Sequence, residues 1–389
     1  GNTSTDTYLD GTITGGVFAY VCNSDDTLPA NTYILTALGG TINDAIPMAA
    51  YIVGDNQKIK VTRDADDEDF ESWKEVDGIT ISDPTAKTIE FVMPAKNVAL
   101  GINYKDNALE FDANGNPTHA GGKNWERIQT GSNDGVPTYG LILKDGAVLD
   151  TDGTVKCQIV AYPGSTIRNG VFEEAETGDQ IMNFGTIENG TFDITVTNAG
   201  TIQNGDFNKV AMNMNIKLDS EMDLGSLGLG VGIDAIITDC PGLISGGTFH
   251  ESVENVGIIE GGIFYEEVLS MPIPETAVEQ LKKQGITFTS VTRISGGKFA
   301  GEVTNAGEIT GGQFRAGVTN IGTIENGLFS NDVNNTTSAN MTESMSDGEV
   351  ATMALFGDAT YAVEMQNSAS TQKTYVGTIK DGNFGGTVT

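Results

Sequence analysis

The sequence predicts an all-β protein whose larger part is a parallel β-helix, a solenoid with coils of about 15 residues. Three observations carry this. The phrase G-x-I-x-[G/N/D]-G-x-F recurs at 185–192, 200–207, 242–249, 257–264, 307–314, 322–329 and 377–384, with variants that open on Ser165 and Thr292. A second phrase, V-x-N-x-G, starts at Val196, Val253, Val303 and Val318 and lies between copies of the first. Glycine is abundant and proline scarce, 50 against 10 in 389 residues. That balance suits a chain that turns often and packs its backbone closely rather than a disordered one.

Where copies adjoin, the phenylalanines fall 15 apart: Phe192 and Phe207, Phe249 and Phe264, then Phe299, Phe314 and Phe329. Counted from the Ile, the Val, Asn, Gly and next Ile stand at +9, +11, +13 and +15. These offsets share one parity, so on extended backbone they face one side while the intervening Thr, Ala and Glu face the other. The Asn-Gly or Gly-Gly after each Ile supplies a turn with positive φ, and Phe then enters the interior from another side. Helix is opposed by these glycines and by the β-branched Ile, Val and Thr. Fifteen extended residues have a contour of about 50 Å, enough to close a narrow tube, and such coils stack ~4.8 Å apart. Ile, Phe and Val then form three internal stacks. Asn198, Asn255, Asn305 and Asn320 form an inward amide ladder, each side chain bonding the next coil. These asparagines and phenylalanines are therefore expected to serve the fold rather than a ligand.

Along the chain, residues 1–31 contain a lone early copy of the phrase at 11–18, expected to join the near end of the solenoid. Residues 32–106 alternate as strands without the 15-residue period and form a separate β module. Residues 107–164 hold a hairpin turn at 112–116 and irregular strands, expected to form the first, irregular coils and to cap an open coil edge that would otherwise template aggregation. Residues 165–389 are the solenoid, broken by insertions at 209–241, 269–291 and 331–376. The second insertion carries a helix pattern over 274–284, with Pro274 at its start, Glu275 in the first turn, Val278 and Leu281 on one face, and Gly285 as a stop. Insertions leave such coils as loops, commonly on a side that binds.

Within the β module the order Tyr33-Ile-Leu-Thr, Gly39-Gly40, Phe70-Glu-Ser-Trp73, Ile79 to Ile81, Phe91-Val-Met-Pro-Ala95, Val98 and Tyr104 is specific. It resembles the B-repeat of listerial internalins and its divergent relatives in bacterial surface proteins. The resemblance covers residues 32–106 alone. It implies a compact β-grasp-like module, used on cell surfaces as a spacer or for protein contacts, without catalysis. The acidic run 64–71 departs from the pattern, because relatives tend to carry a glycine before the Phe. Independently of the resemblance, Phe70, Trp73 and Phe91 are expected as core aromatics. The solenoid repeats also resemble, more loosely, those of uncharacterised gut-bacterial surface proteins.

Asp and Glu outnumber Lys and Arg by 53 to 21, a formal charge of −32. A net charge this negative opposes association with a polyanionic backbone, so nucleic acid is not an expected partner. The most apolar stretch, 227–237, is short and interrupted by Asp234, so no membrane insertion is expected. Cys22, Cys157 and Cys240 are odd in number and lack CxxC spacing, which predicts buried apolar thiols rather than a disulfide framework or zinc site. His119 and His250 lie in different segments and no G-x-S-x-G occurs, so a Ser/His/Asp arrangement has no members. Calcium is the one candidate cofactor. Asp112, Asn114 and Asn116 imitate the start of an EF-hand loop, but Pro117 stands where glycine is needed and Lys123 where the closing Glu belongs. Asp64, Asp66, Asp67 and Asp69 form a second acidic cluster, for which a solvated loop is the default. The opening Gly-Asn-Thr-Ser-Thr-Asp looks like a trimmed terminus, and the natural chain is expected to continue beyond residue 389.

These readings converge on a secreted, extracellular or cell-surface protein without catalysis. It is expected to act as an adhesin or structural rod with a protein or glycan partner on a host, matrix or bacterial surface. The alternative is a carbohydrate-binding or carbohydrate-cleaving β-helix protein, since such scaffolds also carry glycan-cleaving carboxylates. Against cleavage stand the short coils and the mixed outward pairs Thr197/Ala199, Glu254/Val256, Thr304/Ala306 and Thr319/Ile321.

Overall fold

A computed structural model describes residues 17–19, 31–37, 40–42, 51–63, 69–133, 136–223, 236–273, 278, 282, 288–336 and 377–389. They fall into two compact units, Gly1–Ala108 with His119–Lys123, and Leu109–Thr118 with Asn124–Thr389.

The first unit is a small all-β module. In Lys58–Arg63 the alternation is plain: Ile59 and Val61 point into the core and Lys58 and Lys60 away from it. That strand lies between Gly40–Ile42 and Thr88–Val92, antiparallel to both. Thr32–Ala37 pairs antiparallel with Tyr51–Gly54 and parallel with Val98–Leu100. Phe70 and Trp73 stand three apart on one strand, where simple alternation would oppose them. A register shift between Phe70 and Ser72 in the pairing with Ile102–Tyr104 puts both inside. Their rings meet edge to face at 5.8 Å, and the Trp73 indole N–H donates to the Ala86 carbonyl at 2.9 Å. Phe91, Met93, Leu35 and Leu100 complete this core.

Val17–Ala19, which carries Phe18 of the early phrase, pairs antiparallel with Tyr51–Gly54 inside this first unit. The expectation that it adds a solenoid coil is therefore corrected. Eight matching residues did not suffice, because the copy lacks the V-x-N-x-G partner phrase that builds the remaining wall.

The second unit is the parallel β-solenoid, with a wall for each apolar stack. The Val wall runs in parallel register Leu141, Ile159, Ile181, Val196, Ala211, Val253, Val268, Val303, Val318, Val333. The Ile and Phe walls belong to one 18-stranded sheet. The Ile register runs Leu149, Ile167, Ile187, Ile202, Ile244, Ile259, Ile294, Ile309, Ile324, Ile379. In the Phe register, Val155 precedes nine phenylalanines from Phe172 to Phe384. The three stacks fuse into one continuous core.

Two glycine positions make the walls possible. Gly312, between the Ile and Phe walls, has φ 116, and a Cβ there would lie 3.1 Å from the Phe314 ring. Gly200, beyond the Asn corner, would place a Cβ 2.1 Å from the Gly185 carbonyl oxygen of the coil below. Glycine at these positions lets adjacent coils approach closely, although Ser165 and Thr292 take the second of them in two coils.

The coils begin earlier than residue 165. Val136–Leu143 already pairs in parallel with Gln158–Ala161, and Val148–Lys156 with Thr166–Glu173. Leu149 replaces Ile and Val155 replaces Phe there, so the phrase is unreadable although the packing is the same. At the near end Leu109 and Phe111 pack against the core, and Lys156 donates its N–H to the Gly115 carbonyl at 3.0 Å. Each expected insertion also opens with a regular strand of the Val wall: Ala211–Met214, Val268–Ser270 and Val333–Asn335. Of the helix expected over 274–284, Val278 and Lys282 are described and both are helical; the rest lies outside the described residues.

Candidate functional site

Asn183, Asn198, Asn213, Asn255, Asn305 and Asn320 stand inside the tube, fully buried, and Asn335 is half-buried. Asn183 donates its amide to Asn198 at 2.7 Å, Asn198 to Asn213 at 2.8 Å, Asn213 to Asn255 at 2.9 Å, and Asn255 to the Ser270 hydroxyl at 3.0 Å. A second run links Asn305 to Asn320 and Asn320 to Asn335, both at 2.8 Å, and ends on the Gly377 carbonyl. The same amides reach the glycine carbonyls of their own corners, as from Asn198 to Gly200 at 3.3 Å. Beside them Phe172, Phe192, Phe207, Phe249, Phe264, Phe299, Phe314, Phe329 and Phe384 stack nearly parallel, with centroids 4.6 to 5.0 Å apart. Apart from the Oδ1 of Asn183, where the ladder starts, and that of Asn305, these groups take up one another. The ladder has one interruption: after Ser270 the next rung, Asn305, buries its Oδ1 without a donor.

What varies lies at one corner of the tube. Regular coils cross from the Val wall to the Ile wall with one residue between Asn and Gly, as in Asn198-Ala-Gly200 and Asn305-Ala-Gly307. All three insertions leave at this step, between the rungs Asn213, Ser270 and Asn335 and the residues Gly242, Thr292 and Gly377 that resume the Ile wall. Two of them join. Ile216–Asp223 pairs antiparallel with Ile236–Cys240 of its own insertion and with Phe288–Thr289 of the next. Asn215 ties their bases, donating to the Pro241 carbonyl at 2.6 Å and accepting the Val291 N–H at 3.3 Å. Near this corner the expected outward residues Thr197, Ala199, Ala306 and Ile321 are buried, which corrects their assignment to solvent. Glu254, Val256, Thr304 and Thr319 are half-buried.

Among the described residues the candidate metal ligands do not gather. Asp64 and Asp67, with Asp66, lie outside the described residues. Asp69 is buried and committed: it accepts from Asn107 at 3.0 Å and from the Ala120 N–H at 2.9 Å, and pairs with His119 Nδ1 at 2.8 Å. Asp112 turns its Oδ1 to its own hairpin, accepting the N–H groups of Asn114 at 2.8 Å and Asn116 at 2.9 Å, while Asn114 is exposed. Among the described residues no three His, Cys, Asp or Glu side chains are placed to hold a metal ion. Cys157 and Cys240 are buried free thiols, and burial pushes each pKa up to about 12, with Asp179 and Asp239 adding to the shift. Cys22 lies outside the described residues.

The outward positions of the Phe wall also form columns, because the residue after each Phe repeats from coil to coil. Asn208 donates to Asp193 at 2.8 Å in that column. In the next two coils the exposed His250 and Tyr265 rings stack at 5.3 Å with 16° between their planes. Sequence reasoning set His250 aside as a catalytic group and overlooked Tyr265. The signal was available: each directly follows a repeat phenylalanine. No protein-family model, no curated protein and no solved structure matches the chain.

Proposed function

We propose that the chain is a non-catalytic extracellular protein of a bacterial surface, an adhesin or structural rod whose partner is a protein or glycan on a host, matrix or neighbouring cell. The observation that supports this is the single corner from which all three insertions leave, two of them forming one small sheet. The repeated interior residues satisfy each other, so sequence variety that could select a partner is concentrated where the repeat is broken. The bulged Phe70 and Trp73 pair with Phe91 fits the B-repeat resemblance, in which the first unit serves as a spacer or protein-contact module.

The test is adhesion of the purified chain to extracellular-matrix proteins and a glycan array, with oligosaccharide release assayed in parallel. A variant whose insertions at 214–241 and 271–291 are each replaced by the one-residue corner of the regular coils keeps the solenoid and is expected to lose adhesion to matrix proteins. Full binding by that variant would move the site away from the corner, and released oligosaccharide would overturn the non-catalytic reading. Binding to a carbohydrate as such is favoured by a separate feature, the exposed His250 and Tyr265 stack on the Phe wall.

A further inference from the structure

The column that carries His250 and Tyr265 continues with Ala300 and Arg315, one residue per coil. The register is fixed by the backbone: Tyr265 donates its N–H to Phe249, Ala300 to Phe264, and Arg315 to Phe299. One face of the Tyr265 ring is covered by His250. The other is turned toward the coil of Ala300, which offers only an exposed methyl group at that level of the column. Two coil steps span ~9.6 Å between the backbones of Tyr265 and Arg315. A saturated six-membered ring in van der Waals contact on both sides requires about 7–8 Å, so the gap is one ring deep.

The walls of the gap are chemically unlike one another. Tyr265, half exposed, offers an aromatic face below. Arg315 stands above and Lys298, two residues before Ala300 and on the same outward side, stands beside it. Both cations are exposed, and among the described residues neither forms an ion pair. In a chain of net charge −32, two exposed cations thus flank an exposed aromatic face. We propose that Tyr265, Ala300, Arg315 and Lys298 form a binding slot for a sugar ring bearing a carboxylate, such as a uronic acid unit. The apolar face of the ring lies on Tyr265. The carboxylate meets the Arg315 guanidinium in a two-pronged, charge-assisted contact, with Lys298 adding a second positive charge. Glu266 beside Tyr265 faces the hydroxyl rim, where it accepts hydrogen bonds.

This inference rests on the surface-binding reading and names a ligand class for it, at a place separate from the insertion corner. The experiment titrates the full chain with trigalacturonate and with its methyl ester, which keeps the rings and removes the charges. The acid is expected to bind, more weakly as salt rises, and the ester at least about tenfold more weakly. R315Q and Y265L are each expected to lose roughly tenfold to a hundredfold in affinity for the acid, and A300W, which fills the gap, to abolish binding. All three are outward positions, so an unchanged thermal transition verifies the fold; where A300W alters it, R315Q and Y265L carry the result. Absence of binding to trigalacturonate, equal affinity for acid and ester, or indifference to R315Q and Y265L would overturn the slot. Adhesion through the insertion corner would survive that outcome, so the two failures are distinguishable.

Discussion

The two units are both all-β, yet the same kind of substitution means different things in them. In the first unit, strands distant in sequence meet in one mixed and two antiparallel sheets, and each core residue has its own neighbours: Trp73 has no equivalent elsewhere in the module. In the solenoid each interior residue packs on its own repeat one coil above and below, so every local defect is shared with two adjacent coils. A one-dimensional stack transmits damage along its axis, whereas a unique core contains it.

The largest expected effect is in the stack. Phe264→Asp would bury a carboxylate between the rings of Phe249 and Phe299, at a cost of about 5 kcal/mol or more. Hydrogen exchange read by mass spectrometry should then show several coils losing protection together while the first unit keeps its own. Next is Trp73→Ala, expected to cost about 3–5 kcal/mol; in a denaturant titration it should shift the transition of the first unit and leave that of the solenoid in place. Asn198→Ala strips a donor from Asn213 and an acceptor from Asn183, and should lower solenoid stability by about 1–3 kcal/mol. Ser270→Asn has the opposite sign: it supplies the amide that Asn305 lacks, and a gain of about 1 kcal/mol in the same titration is expected. Smallest of all, iodoacetamide at neutral pH should leave Cys157 and Cys240 unmodified in the folded chain, because burial holds both as thiols.

Much of the solenoid was legible because its period is written twice, once in Ile and Phe and once in Val and Asn. What escaped were rungs whose flanking phrase had changed while their position had not. Asn183 follows Ile181 rather than Val, Asn213 follows Ala211, Asn335 closes a coil just before an insertion, and Ser270 replaces Asn altogether. Burial and register define a rung, and several residue types meet that requirement. The early phrase at 11–18 shows the converse, since its motif was present without the partner phrase and Phe18 lies in another sheet. For the candidate surfaces, the sequence located the insertions but not their common corner. That corner appears only when residues 213, 270 and 335 are brought into one register. The Tyr265 slot has the same origin, because its members come from successive coils and are never adjacent in sequence.

The central claim is that inward repeats hold the fold while outward positions are free for other uses. Side-chain amide exchange tests it most directly, because the chain carries its own control. Asn183, Asn198, Asn213 and Asn255 bond inward, whereas Asn189 and Asn204 bond outward in full view of solvent, at 3.3 Å. In a proton–deuterium exchange series followed by NMR, the inward carboxamides should exchange only with unfolding of the solenoid, and the outward pair at the rate of an open side chain. Equal, fast exchange of both sets would contradict a closed amide ladder and with it the coil stacking described above.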